Sequence, residues 1–134
     1  MERIICIIAG SRSVDNYDYC EPLIDKFFNN EMFKCKDIAI MSGTARGADR
    51  VGEIYAQRHG LDLKKRPAQW NRQADGTYDK SAGYKRNEQM GKEADVALIL
   101  WDGESRGSEH MYNIMKKLNK PVMMIDLKNF KVIQ

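Results

Sequence analysis

The stretch Ser42-Gly43-Thr44-Ala45-Arg46-Gly47-Ala48-Asp49 carries residue types suited to holding an anion. Gly43 and Gly47 permit positive φ and let a ligand approach the main chain. Ser42 and Thr44 offer hydroxyls, and Arg46 offers a planar fork of donors matched to phosphate oxygens. The apolar run Ile38-Ala39-Ile40-Met41 precedes the stretch, and a helical pattern with Ala48, Val51, Ile54 and Tyr55 on one side follows it. It therefore lies at a strand-to-helix turn, where free backbone N–H groups point outward. Two readings fit these eight residues: a phosphate cradle, or an ordinary helix cap in which Asp49 complements the helix dipole. Two well-known fingerprints are absent, since no lysine follows the second glycine as in a P-loop and no G-x-G-x-x-G follows the first strand.

Other segments offer similar chemistry. Gly10-Ser11-Arg12 closes the first apolar run, and Asp102-Gly103-Glu104-Ser105-Arg106-Gly107-Ser108 closes a later one. Arg86 and Asn87 fall at the start of a helix, where a basic residue opposes the dipole unless an anion compensates it. The polar segment from Pro67 to Tyr78 has no sustained period. Its Trp70 and Tyr78 either stack on a base or, for Trp70, pin the loop to the body.

The elements that must position these residues follow from hydrophobic periodicity. A continuous apolar run at residues 3–9 predicts a central strand buried on both faces, runs at 38–41, 95–100 and 122–125 predict further strands, and a short strand is expected near 61–65. Cys20, Leu23, Ile24, Phe27 and Phe28 predict a helix over about 18–31, and a second spans about 46–59. A third opens at Gly83, with Tyr84, Met90 and Ala94 inward, and a fourth carries Met111, Ile114, Met115 and Leu118 inward to about residue 119. Alternation of strands and helices predicts an α/β fold, a Rossmann-like three-layer sandwich with a mainly parallel five-stranded sheet in the order 3-2-1-4-5. Phe130 to Ile133 can add a short edge segment. In that order the three polar turns all emerge at the carboxyl ends of strands beside the topological switch point, where such sheets bind ligands.

The 134 residues suit a single domain. Charged residues make up 31% of the chain, but both signs are interspersed and the net charge is +3, so nucleic acid is not the expected partner. No apolar run is long enough to span a bilayer and no signal-peptide pattern opens the chain, so no membrane partner and a cytoplasmic location are expected. Cys6, Cys20 and Cys35 have no metal-ligand spacing, and His59 and His110 are isolated, so no zinc site is expected.

Taken in order, Gly10-Ser11-Arg12, Ser42 to Asp49, Pro67-Ala68-x-Trp70, Gly83-x-x-Arg86-Asn87-x-x-Met90 and Asp102-Gly103-x-Ser105-x-Gly107-Ser108 resemble the successive motifs of the SLOG superfamily. The nearest branch is the YspA-like group of small, often phage-borne or bacterial proteins. The resemblance covers nearly the whole chain. It implies a Rossmann-like fold that binds a nucleotide or nucleotide-derived small molecule at these loops, often as a homo-oligomer, in sensing or sequestration. Arg12, Arg46 and Arg86 would hold phosphate, the Gly43–Gly47 and Gly107–Ser108 turns would cradle it, and Asn87 and Trp70 would meet ribose or base. No cofactor is certain, although Asp102 could hold Mg²⁺ beside phosphates.

The superfamily also includes cytokinin-activating phosphoribohydrolases and DNA-processing proteins of the DprA type, which give two alternatives: an N-glycosidic hydrolase of nucleoside 5′-monophosphates and a single-stranded DNA-binding module. The hydrolases carry P-G-G-x-G-T-x-x-E, and the matching segment here is Glu104 to Met111. Ser108 keeps the hydroxyl, but Met111 stands at the catalytic glutamate position. Hydrolysis needs a carboxylate, and spacing singles out none of Asp49, Asp102, Glu104 and Glu109. Whether the protein is an enzyme stays open at this point.

Overall fold

The computed structural model describes residues 2–69 and 81–134. Its strands are β1 (Arg3–Gly10), β2 (Asp37–Ser42), β3 (Asp62–Lys65), β4 (Val96–Trp101), β5 (Val122–Asp126) and β6 (Lys131–Ile133). Its α-helices are α1 (Tyr17–Phe28), α2 (Ala48–Arg58), α3 (Ala82–Glu93) and α4 (Arg106–Lys117). The sheet runs β3-β2-β1-β4-β5-β6, parallel throughout except for β6, which pairs antiparallel with β5. The expected five-strand order is present, and the 130–133 segment adds a sixth strand at its edge.

Alternation along β1 divides the core between the two faces of the sheet. Cys6 and Ile8 point to one side, where they join Ile40, Leu98, Cys20, Ile24 and Phe27 of α1, and Val51 and Tyr55 of α2. Ile7 points to the other, with Ala97, Ile99, Met90 of α3, and Met111 and Met115 of α4. The central strands are therefore covered on both faces, as their unbroken apolar sequence requires. The chain builds β2 and β3 on one side of β1 and β4 and β5 on the other, which opens a crevice beyond the carboxyl ends of β1 and β4.

Capping fixes where several elements begin and end. The Asn16 side chain accepts the Tyr19 N–H at 3.2 Å to open α1. That helix stops at Phe28, short of the expected residue 31, because a separate 3-10 turn at Glu31–Phe33 takes over behind the Asn30 cap. Ser105 opens α4, its Oγ accepting the Ser108 N–H at 3.4 Å. Ser105→Ala is expected to lower stability by about 1 kcal/mol, read as a shifted urea midpoint at unchanged slope. At the far end of α3, Lys120 donates to the carbonyls of Gly91, Lys92 and Ala94 at 2.8, 3.0 and 2.7 Å. Among the described residues no helix is long and apolar enough to cross a membrane.

Candidate functional site

The loops after β1, β2 and β4 and the first turns of α3 enclose a cleft of about 810 Å³. The loop after β1 contributes Gly10 and Arg12, the β2–α2 turn and the start of α2 Gly43, Arg46, Gly47 and Asp49, and the loop after β4 with the start of α4 Asp102, Ser105, Gly107 and Ser108. Arg86 and Asn87 enter from α3. A smaller cavity of about 440 Å³ adjoins it, sharing Arg12, Arg46 and Arg86 and adding Thr44. Three expected site residues stand back from both cavities. Ser11 is fully buried, accepts the Asp102 N–H at 2.9 Å and lies 3.3 Å from the Ser108 hydroxyl, so it ties two loops together. Ser42 donates to Glu53 at 2.7 Å, and Gly103 packs near Asp126. Trp70 and Tyr78 lie outside the described residues.

The glycines of the β2–α2 turn serve neighbouring protein groups. A Cβ on Gly43 would come within 2.5 Å of the Arg86 guanidinium, so the missing side chain is what seats that arginine. Gly47 has φ +83°, and a Cβ there would fall 2.4 Å from the Ser11 carbonyl oxygen. Between them Thr44 holds φ 64°, a rare conformation for a β-branched residue. Its N–H donates to Ser42 Oγ at 3.0 Å, and the Ala45 N–H donates to Asp49 Oδ2 at 3.0 Å. The Ala48 N–H donates to the Ser11 carbonyl at 3.1 Å. Asp49 thus braces the turn from within, and the turn spends part of its amide array on itself.

The guanidinium groups are less well satisfied. Arg12 and Arg46 are exposed, and among the described residues neither side chain makes a hydrogen bond or ion pair. Arg86 is half-buried and donates to the Gly43 carbonyl and to Asn87 Oδ1, the latter at 3.1 Å. Burial disfavours its charged form, Asp49 favours it and Arg12 opposes it. The Asp49 carboxyl is 5% exposed. Burial pushes it from 3.8 up to about 6, with Glu53 adding to the rise and the Ala45 N–H, Arg86 and Arg12 holding it back. Three guanidinium groups thus face the cleft together with three carboxylates, Asp15, Asp49 and Asp102, and the charge of Asp49 is itself disfavoured.

Across the cleft, burial would raise the Asp102 carboxyl. The N–H groups of Glu104 and Ser105, each at 2.9 Å, and the Ser13 hydroxyl, also at 2.9 Å, bring it below its usual range together with Ser11. Among the described residues no group of three or more His, Cys, Asp or Glu side chains could hold a metal ion. The Asn87 amide is committed within the protein: Oδ1 accepts from Arg86, while Nδ2 donates to the Gly107 carbonyl at 3.4 Å and lies 3.3 Å from His110 Nδ1. Of the carboxylates weighed for hydrolysis, Asp49 and Asp102 line the cleft. Glu104 instead pairs with Lys128 at 3.1 Å, and Glu109 is exposed. Met111, 1% exposed, forms part of the wall. The sequence reading missed Ser13, Asp15 and Tyr84 as lining residues. Their nearness to Arg12 and Arg86 was the available signal.

A parallel sheet wound in both directions from β1, with helices on both faces and polar loops meeting at the switch point, is a Rossmann-like α/β fold. The chain belongs to the family described as YspA, cpYpsA-related SLOG, which matches residues 4–73, just over half of its length. No curated protein sequence matches it significantly. Among solved structures it is similar to one described as giving insights into the single-stranded DNA binding mode of DNA processing protein A from Helicobacter pylori. The TM-score is 0.59 at 18% identity, over 92% of this chain and 65% of that one. At that identity the shared property is the fold.

This neighbour corrects one expectation. A small-molecule partner, with nucleic acid set aside because the net charge is only +3, does not stand beside a protein of the same fold that binds single-stranded DNA. The physical reason is that net charge averages over the whole surface, whereas a strand meets only the local field. In this chain Arg12, Arg46 and Arg86 line one cavity beside the β2–α2 turn.

Proposed function

We propose that the cleft binds a nucleotide unit of a single-stranded nucleic acid, with its phosphate on Arg12, Arg46 and Arg86. The observation that carries this reading is the pair of exposed guanidinium groups, Arg12 and Arg46, which lack partners among the described residues at the mouth of an 810 Å³ cleft. Phosphodiester oxygens match the planar fork of arginine, and a cleft of this size suits one nucleotide. The second cavity, which shares the same arginines, leaves room for the chain to continue. Met111 supports binding without hydrolysis, because it puts a thioether where the related hydrolases place a carboxylate.

The test is fluorescence anisotropy of a labelled oligothymidylate between roughly 50 and 200 mM salt. Three phosphate contacts on a single strand predict a log–log slope of affinity against salt of about −2. Affinity that ignores salt, or no saturable binding at the low end, would overturn the reading.

A further inference from the structure

We infer that Tyr84 is the platform on which the base of the bound nucleotide stacks, a subsite that rests on the reading of the cleft given above. Tyr84 stands on the first turn of α3, lines the cleft, and is 46% exposed, unlike Met90 and Ala94 further along the same segment, each 1% exposed. Its hydroxyl makes no hydrogen bond among the described residues. A large aromatic ring left open to a polar cleft, neither filling the core nor using its hydroxyl, offers its π-face.

The ring is also held. His110 meets it edge-to-face, with centroids 4.5 Å apart at 87°. Asn87 lies 3.3 Å from His110 Nδ1, Arg86 donates to Asn87 at 3.1 Å, and Arg86 in turn donates to the Gly43 carbonyl. Burial lowers the His110 pKa, favouring the neutral ring, whose Nδ1 can accept from the Asn87 amide. One continuous chain of contacts thus sets the phosphate-facing arginine and the aromatic ring relative to each other. That is the requirement for reading a nucleotide at both ends, because stacking gains most when the platform is ordered beforehand.

The experiment compares two labelled probes, a short oligothymidylate and an all-abasic strand of the same length. It uses the parent chain, Tyr84→Ala, Tyr84→Phe and the Arg12→Ala/Arg46→Ala double variant. The parent is expected to bind the base-bearing probe about tenfold more tightly than the abasic one. Tyr84→Ala is expected to erase that preference by weakening the base-bearing probe alone, and Tyr84→Phe to retain it. The double arginine variant is expected to weaken both probes alike, so it reports on the phosphate reading separately. A base preference that survives in Tyr84→Ala, or an equal loss on both probes in that variant, overturns the platform and leaves the phosphate site standing. A parent chain that binds neither probe overturns both.

Discussion

Changing Arg12 and Arg46 together to alanine is expected to weaken single-strand binding by about a hundredfold, with little change in stability. A hydrogen bond to a charged group contributes roughly 1.5–3 kcal/mol, and exposure of both side chains places each near or below the lower end of that range. Their combined loss of about 2.7 kcal/mol corresponds to two decades in Kd. The salt slope should fall from about −2 towards −0.7 as phosphate contacts are lost. Since neither side chain has a partner among the described residues, the denaturation midpoint should move by no more than about 0.5 kcal/mol. Unchanged affinity would mean that the β2–α2 turn is a helix cap and nothing more. Arg86→Ala is a poorer probe, because that residue also satisfies the Gly43 carbonyl and faces Asp49.

Asp49→Asn is expected to stabilise the protein at neutral pH and to do so progressively less in acid. The carboxyl sits at about 6 in the folded protein against an ordinary 3.8, chiefly because it is buried. A folded-state pKa above the unfolded one gives stability that is complete below 3.8 and lost as pH rises through about 6. The displacement is worth about 3 kcal/mol at neutral pH, which sets the upper size of the gain on removing the charge. Asparagine keeps an oxygen for the Ala45 N–H. Asp102 titrates the other way, losing stability as pH falls through its depressed pKa. The informative quantity is therefore the difference between variant and parent in urea midpoints across pH, where that contribution cancels. A difference independent of pH would show that Asp49 is not the titrating group. The same protonation removes a negative charge beside Arg12 and Arg86. Phosphodiester affinity of the parent should therefore rise as pH falls from roughly 7.5 to 5, with the variant flat over the same range.

The sheet was legible because its strands are short, apolar and separated by amphipathic helices, and the burial of Cys6, Ile7 and Ile8 on alternating faces follows directly. The meeting of Gly10, Arg12, Gly43, Arg46, Asp102 and Ser108 at one cleft was legible too, since they sit at strand ends that topology alone brings together. What each residue does there was harder to read. Gly43 looks like room for a ligand until Arg86 is seen to occupy that space. Asp49 and Glu53 fall on a helix with an apolar stripe, yet both are buried because the β2–α2 turn and Ser42 close over them. Tyr84 shares the period of the inward residues of α3 but lies one turn beyond the sheet, over the cleft. These outcomes depend on which side chain from a distant segment arrives at a given point, and periodicity within one segment carries no such information.

Helix α3 is fastened near its start by Arg86 reaching the Gly43 carbonyl and at its end by Lys120 reaching three carbonyls. Terminal turns of a helix ordinarily fray ahead of the rest and exchange their amide hydrogens quickly. A helix tied near its start by its own Arg86 to the β2–α2 turn and at its end by Lys120 from the following segment has lost that cheap route. Its amides should exchange together, in one cooperative opening that also releases the β2–α2 turn and the start of β5. The wall carrying Tyr84 would then behave as a plate that is either in place or gone, with few intermediate positions in which a strand could be held loosely.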